Sequence, residues 1–169
     1  MRKVRYISIT FIGVAMVCFG YFLIQRYVEK NEFNTNLQRI DRLRLVHLDH
    51  SKFDFNQLSN DNFILFFMDI HCENCQQQLD ELLLRENDLK KKLKVILVFK
   101  NDDRTLEDFL TTRNLEKYPF IFAARMSEQE HYYPTITPYL LTYGAKLKYL
   151  AEYSGVTDVE TLVASFEND

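Results

Sequence analysis

An apolar run stops and a leucine-spaced helical pattern starts within Phe66-Phe67-Met68-Asp69-Ile70-His71-Cys72-Glu73-Asn74-Cys75. Phe63 to Ile70 is almost continuously apolar and of strand length, as expected of a central strand covered on both faces. Cys75, Leu79, Leu82 and Leu83 then recur at helical spacing, and Lys90-Lys91-Lys92 supplies cations suited to a helix C-terminus. A strand running directly into a helix sets Cys72 at the helix N-terminus. Unpaired backbone N–H groups and the helix dipole there stabilise a thiolate. Cys75 lies close enough to attack a disulfide formed on Cys72, so the pair can pass a disulfide to and from another protein.

The same alternation continues downstream. Lys94 to Phe99 reads as a second buried strand, and Asp102-Asp103 as the cap of a helix with Leu106, Phe109 and Leu110 inward. Tyr118 to Ala123 reads as a third strand, and Met126 to Tyr133 as a helical turn or loop. Tyr139 to Tyr143 and Lys146 to Tyr153 flank Gly144-Ala145 as an antiparallel hairpin with a tight turn. Thr157-Asp158-Val159-Glu160 has the form of a capping box, ahead of Val159, Leu162, Val163 and Phe166 at helical spacing. The order predicts a mixed sheet with helices on both faces.

Upstream, Tyr6 to Ile24 carries no charged side chain and is long enough to span a bilayer as a helix. It lacks the small-residue exit of a cleaved signal, so an uncleaved anchor is expected. Met16-Val17 before Cys18 does not resemble a lipoprotein site, and Cys18 reads as a small residue of the membrane helix. The expected organisation is a cytoplasmic tail over 1–5, a transmembrane signal anchor over 6–24, a helical stalk over 25–50 and a folded domain over 51–169. Phe33, Leu37, Ile40 and Leu43 or Leu45 carry the stalk pattern. Arg2, Lys3 and Arg5 before the span favour export of the downstream domain, although Arg26, Lys30 and three later arginines weaken a pure charge count. The domain is expected outside the cytoplasm, where disulfides form and must be managed. A net charge of −3 makes the chain a poor candidate for nucleic-acid binding, which depends on basic surface.

With Cys72-x-x-Cys75 opening a helix after a buried strand, and with Thr137-Pro138 just before the hairpin, the chain resembles the thioredoxin family. The resemblance covers roughly residues 55 to 169. It implies a thioredoxin-like three-layer α/β/α fold with a mixed sheet, preceded by one transmembrane helix. The anchor and the extra segment between Tyr118 and Pro138 are similar to the exported, membrane-anchored branch that serves cytochrome maturation. In this family a cis-proline faces the redox cysteines. That implies a cis Pro138 and a Thr137 backbone free to pair with an extended substrate. There are departures: His71 stands where Trp is usual, Glu73-Asn74 where Gly-Pro is usual, and Phe66 where many thioredoxins bury an acid.

The implied activity is thiol–disulfide exchange with protein cysteines, Cys72 attacking and Cys75 resolving, with reduction slightly favoured over oxidation. A reductase outside the cytoplasm would need a transmembrane electron donor. His71, if protonated, favours the Cys72 thiolate, and Glu73 opposes it. A permanent disulfide is the bland reading of the pair, but so short a loop removes little chain entropy. Structural zinc needs four ligands, and neither a second C-x-x-C nor an H-x-x-x-H is present, so no metal or cofactor is expected. Peroxidase chemistry lacks its T-x-x-C. A non-catalytic thioredoxin-fold adaptor at the membrane stays open as the alternative.

Overall fold

Five in-register residues of Phe63–Phe67 (β2) pair in parallel with Lys94–Phe99 (β3), and all five are buried. The computed structural model describes residues 16–25, 40, 43–100, 104–127 and 133–167. The chain divides into two units, Met1–Leu37 and Gln38–Asp169. In the first, residues 16–25 are helical, with Met16, Val17, Phe19, Tyr21, Phe22, Leu23 and Ile24 exposed. Among the described residues no helix is long and apolar enough to cross a membrane. Residues 6–15 of the predicted anchor, and residues 26–39 and 41–42 of the predicted stalk, lie outside the described residues.

The second unit is built on a six-stranded mixed sheet. Its remaining strands are β1 (Leu45–His47), β4 (Ile121–Met126), β5 (Tyr139–Gly144) and β6 (Lys148–Ser154). The order across the sheet is β1-β4-β3-β2-β5-β6, parallel from β2 through β3 to β4 and antiparallel elsewhere. Its helices are α1 (Glu73–Leu84), the short α2 (Glu86–Leu89), α3 (Arg104–Thr112) and α4 (Val159–Glu167). This is the thioredoxin-like α/β arrangement that the sequence led us to expect.

Successive strands β2, β3 and β4 step in one direction, and right-handed crossovers then place α1 and α3 on the same face. Ile64, Phe66, Val95, Leu97 and Leu140 form that face, packed with Leu79 and Leu82 of α1, Leu106 of α3, and Val159 and Leu162 of α4. Each such fully buried leucine contributes about 1.5–3 kcal/mol of transfer free energy. The alternate residues Phe63, Leu65 and Phe67 face the other way. There Phe63 stacks on Tyr143 at 5.1 Å and on Phe55 at 6.5 Å, and Phe67 meets Tyr133 edge-on at 5.7 Å. Among the described residues an aromatic layer, with a short 3-10 turn at Phe55–Leu58, covers this second face. Helices on both faces were expected from the alternation; among the described residues of this unit the α-helices pack on one, α1 and α3 because their crossovers share a hand.

Four local readings are corrected. Leu45 is not stalk helix: Leu45–His47 is an edge strand paired with β4, so the sheet starts before residue 51. The third strand begins at Ile121 rather than Tyr118, because a 3-10 turn at Leu115–Lys117 precedes it. In the hairpin, Gly144 is extended, and the left-handed residues are Lys146 and Leu147, each at φ 59°. The last helix is capped by Asp158, whose carboxylate accepts the Thr161 N–H at 3.4 Å, while Thr157 Oγ1 donates to the Gly155 carbonyl. Asp102-Asp103 lies outside the described residues.

Candidate active site

The loop from β2 to α1 is shaped by short-range hydrogen bonds. Asp69 accepts the His71 N–H on its side chain at 2.8 Å and the Cys72 N–H on its carbonyl at 3.1 Å. Cys72 is therefore the N-cap of α1, with extended backbone (φ −85°, ψ 110°). The Cys75 N–H donates to Cys72 Sγ at 3.1 Å. The sulfur takes the role usually given to a Ser, Thr or Asp oxygen, so a donor aims at the atom that would carry negative charge.

Cys72 and Cys75 are joined by a disulfide, with Cα atoms 5.2 Å apart, an ordinary span for such a bond. Their exposure is unequal. Cys72 is partly exposed, whereas Cys75 is fully buried in the cluster with Phe66, Leu79, Leu140 and Val159. Only the first sulfur is reachable from outside. His71, Glu73 and Asn74 are all exposed around it, with Glu73 in the first turn of α1. Phe66 is fully buried behind the pair, where the resemblance would place an acid.

Thr137 and Pro138 come to the same place from a distant part of the chain. The Thr137–Pro138 peptide is cis, and the Thr137 carbonyl oxygen lies 3.6 Å from Cys72 Sγ. The Pro138 carbonyl accepts the N–H of Gly155 at 2.8 Å, which ties this segment to the end of β6. Gly155 has φ 86°, a conformation that side-chain-bearing residues rarely adopt. The structure thus brings together all six residues singled out in the sequence, His71, Cys72, Glu73, Cys75, Thr137 and Pro138.

Three supporting residues escaped sequence reasoning. Gln76, on the second turn of α1, donates to the Ile70 carbonyl at 2.7 Å and accepts from Arg113 at 2.9 Å, while Arg113 also pairs with Asp80. Gln78 is fully buried and clasps the Thr157 backbone, donating to its carbonyl at 3.0 Å and accepting its N–H at 2.6 Å. Tyr133 donates to the Met68 carbonyl at 2.8 Å. A polar residue on the apolar stripe of a helix was the available signal for Gln78; nothing local in the sequence marked Tyr133.

Beside Cys72 lies an open cleft of about 420 Å³, lined by Met68, Ile70, His71, Lys100, Tyr133 and Thr137 among others. Among the described residues no group of three or more His, Cys, Asp or Glu side chains could hold a metal. His131 lies outside them.

No family model matches the chain, and no curated protein matches it in sequence. Solved structures match it in fold. Copper-bound ScoI of Arabidopsis thaliana superposes with a TM-score of 0.58 at 16% identity, covering 75% of this chain and 97% of that one. The exposed lipoprotein thioredoxin Etrx1 of Streptococcus pneumoniae gives 0.57 at 13% identity, covering 75% and 98%. A secreted Mycobacterium tuberculosis disulfide oxidoreductase homologous to Escherichia coli DsbE gives 0.57 at 15% identity, covering 80% and 98%. At these identities the likeness establishes the fold, and the chemistry has to be argued from the site.

Proposed function

We propose, from a thioredoxin fold with a dithiol at a helix N-terminus, that this chain is a thiol–disulfide oxidoreductase acting on protein cysteines. One observation carries the reading. Cys72 is reachable and receives the Cys75 N–H at 3.1 Å, while Cys75 is buried directly behind it. That asymmetry separates an attacking sulfur from a resolving one, and a purely structural bridge has no use for it.

In the reductive direction the Cys72 thiolate attacks a substrate disulfide. A Cys72–substrate bond forms, the substrate S–S bond breaks, and one substrate thiolate leaves. Cys75 then gives up its proton and attacks Cys72 Sγ, forming Cys72–Cys75 and releasing the second substrate sulfur. Two electrons pass from the dithiol to the substrate. The Cys75 proton has no buried carboxylate at position 66 to receive it, because Phe66 stands there. It leaves by Glu73, another carboxylate or water. The Thr137 backbone beside Cys72 offers hydrogen bonds to an extended substrate segment.

The finer reading is a membrane-tethered enzyme with its domain outside the cytoplasm and reduction slightly favoured. It is supported by the uncharged stretch over 6–24 and by solved structures of similar fold described as secreted or exposed. A reductase in that place draws electrons from a transmembrane donor. The test uses the full-length chain in detergent, with insulin as the protein disulfide and a dithiol reductant. Turnover that is lost in Cys72→Ser supports the enzyme; a wild type without turnover that still captures a partner supports the adaptor alternative.

A further inference from the structure

One hydroxyl joins the two halves of the site. Tyr133 Oη donates toward the Met68 carbonyl at 2.8 Å and the Val98 carbonyl at 3.2 Å, at the C-terminal ends of β2 and β3. The Met68 N–H is itself bonded to the Val98 carbonyl at 3.1 Å, so all three groups meet at one point. Burial, and then the nearby Asp69 carboxylate, push the Tyr133 hydroxyl far above its ordinary value, which keeps it protonated as a donor. Its ring packs edge-on against Phe67, 5.7 Å between centroids, and the Lys100 ammonium lies 6.0 Å from the ring centre.

From this point two short arms run to the chemistry. Met68 leads through Asp69, whose carbonyl holds the Cys72 N–H, to the attacking sulfur. Tyr133 leads through the buried Pro134 to Thr137, whose carbonyl lies 3.6 Å from that same sulfur. The arms are closed at one end by the Tyr133 hydroxyl and at the other by the contact between Thr137 and Cys72. Removing the hydroxyl opens the first closure while leaving the ring in its packing place.

We propose that Tyr133 is a positioning residue for disulfide exchange, its hydroxyl holding the Thr137 segment opposite Cys72 so that a polypeptide substrate pairs there in register. The proposal rests on the oxidoreductase reading and adds to it the residue that sets the substrate-binding segment. It predicts different demands from different substrates. A protein disulfide must align its backbone with Thr137; a small disulfide needs only the sulfur.

The test compares full-length wild type and Tyr133→Phe in detergent, with insulin and with 5,5′-dithiobis(2-nitrobenzoate). Tyr133→Phe is expected to raise KM for insulin roughly three- to tenfold, with kcat and the rate on the small disulfide within about twofold. An unchanged insulin KM, or equal slowing on both substrates, overturns the proposal. A second readout needs no turnover: the pH dependence of Cys72 alkylation by iodoacetamide in the reduced protein. Its midpoint is expected to move down, because a carbonyl no longer held against the sulfur opposes its negative charge less. An unmoved midpoint overturns the proposal. A wild type that exchanges with neither disulfide would sink the oxidoreductase reading, and the alkylation midpoint would still decide Tyr133.

Discussion

The Thr137 carbonyl oxygen lies 3.6 Å from Cys72 Sγ, although 65 positions separate the two residues in sequence. That contact exists because β5 lies antiparallel beside β2 in the sheet. The end of one strand carries the dithiol loop, and the start of the other follows the cis-proline. The fold makes the site by pairing two strands, and the surrounding residues either hold that pairing or tune the sulfur it exposes.

Gln78 is the first test of the scaffold. Its amide satisfies both the N–H and the carbonyl of Thr157 from inside the core, where water cannot replace it. Gln78→Ala strands these groups and is expected to cost about 1–3 kcal/mol, read as a lower urea midpoint. An unchanged midpoint would show that the clasp is not stabilising.

Much of this scaffold was legible in the sequence, for reasons that differ by element. Residues 95–99 and the strand before Cys72 are uninterrupted apolar runs, and burial on both faces leaves that mark. The Cys72 cap followed from the change of period at that point. Leu45–His47 did not show itself: three residues are too few to display a period, and their pairing with β4 is remote in sequence. The hairpin misled because Gly144-Ala145 read as the tight turn, whereas the turn lies over Ala145–Leu147, with Lys146 and Leu147 at positive φ. Of the site, the two cysteines were legible from spacing, and Thr137-Pro138 only through family resemblance. Tyr133 and Gln78 were not, since each acts on backbone groups that only the folded chain brings near.

Glu73 carries two effects of opposite sign. Exposed in the first turn of α1, its carboxylate suits the helix N-terminus but repels a thiolate on the neighbouring Cys72. Glu73→Gln is expected to lower stability by about 0.3–1 kcal/mol. It should also speed Cys72 alkylation at neutral pH about twofold, an effect that salt diminishes. Slower alkylation would contradict the account of the local field.

The buried tyrosines fix the behaviour in alkali. Burial pushes the hydroxyls of Tyr133, Tyr139 and Tyr143 well above their ordinary value of about 10, with Asp69, Glu152 and Tyr149 adding, respectively, to the effect. A native state that holds these protons while the unfolded chain releases them is stabilised fully below about pH 10 and progressively less above it. The melting temperature should therefore fall steeply above pH 10, and less steeply in Tyr143→Phe. Equal slopes in the two proteins would count against burial as the cause.

The most direct measurement captures the chemistry in the act. Full-length protein with Cys75→Ser is reduced, exposed to a protein disulfide and examined by non-reducing gel and peptide mass spectrometry. A mixed disulfide should accumulate on Cys72, be absent in Cys72→Ser and turn over without accumulating in wild type. Substrate trapped on Cys75 in Cys72→Ser instead, or no trapped species in either variant, would contradict the assignment of Cys72 as the attacking sulfur.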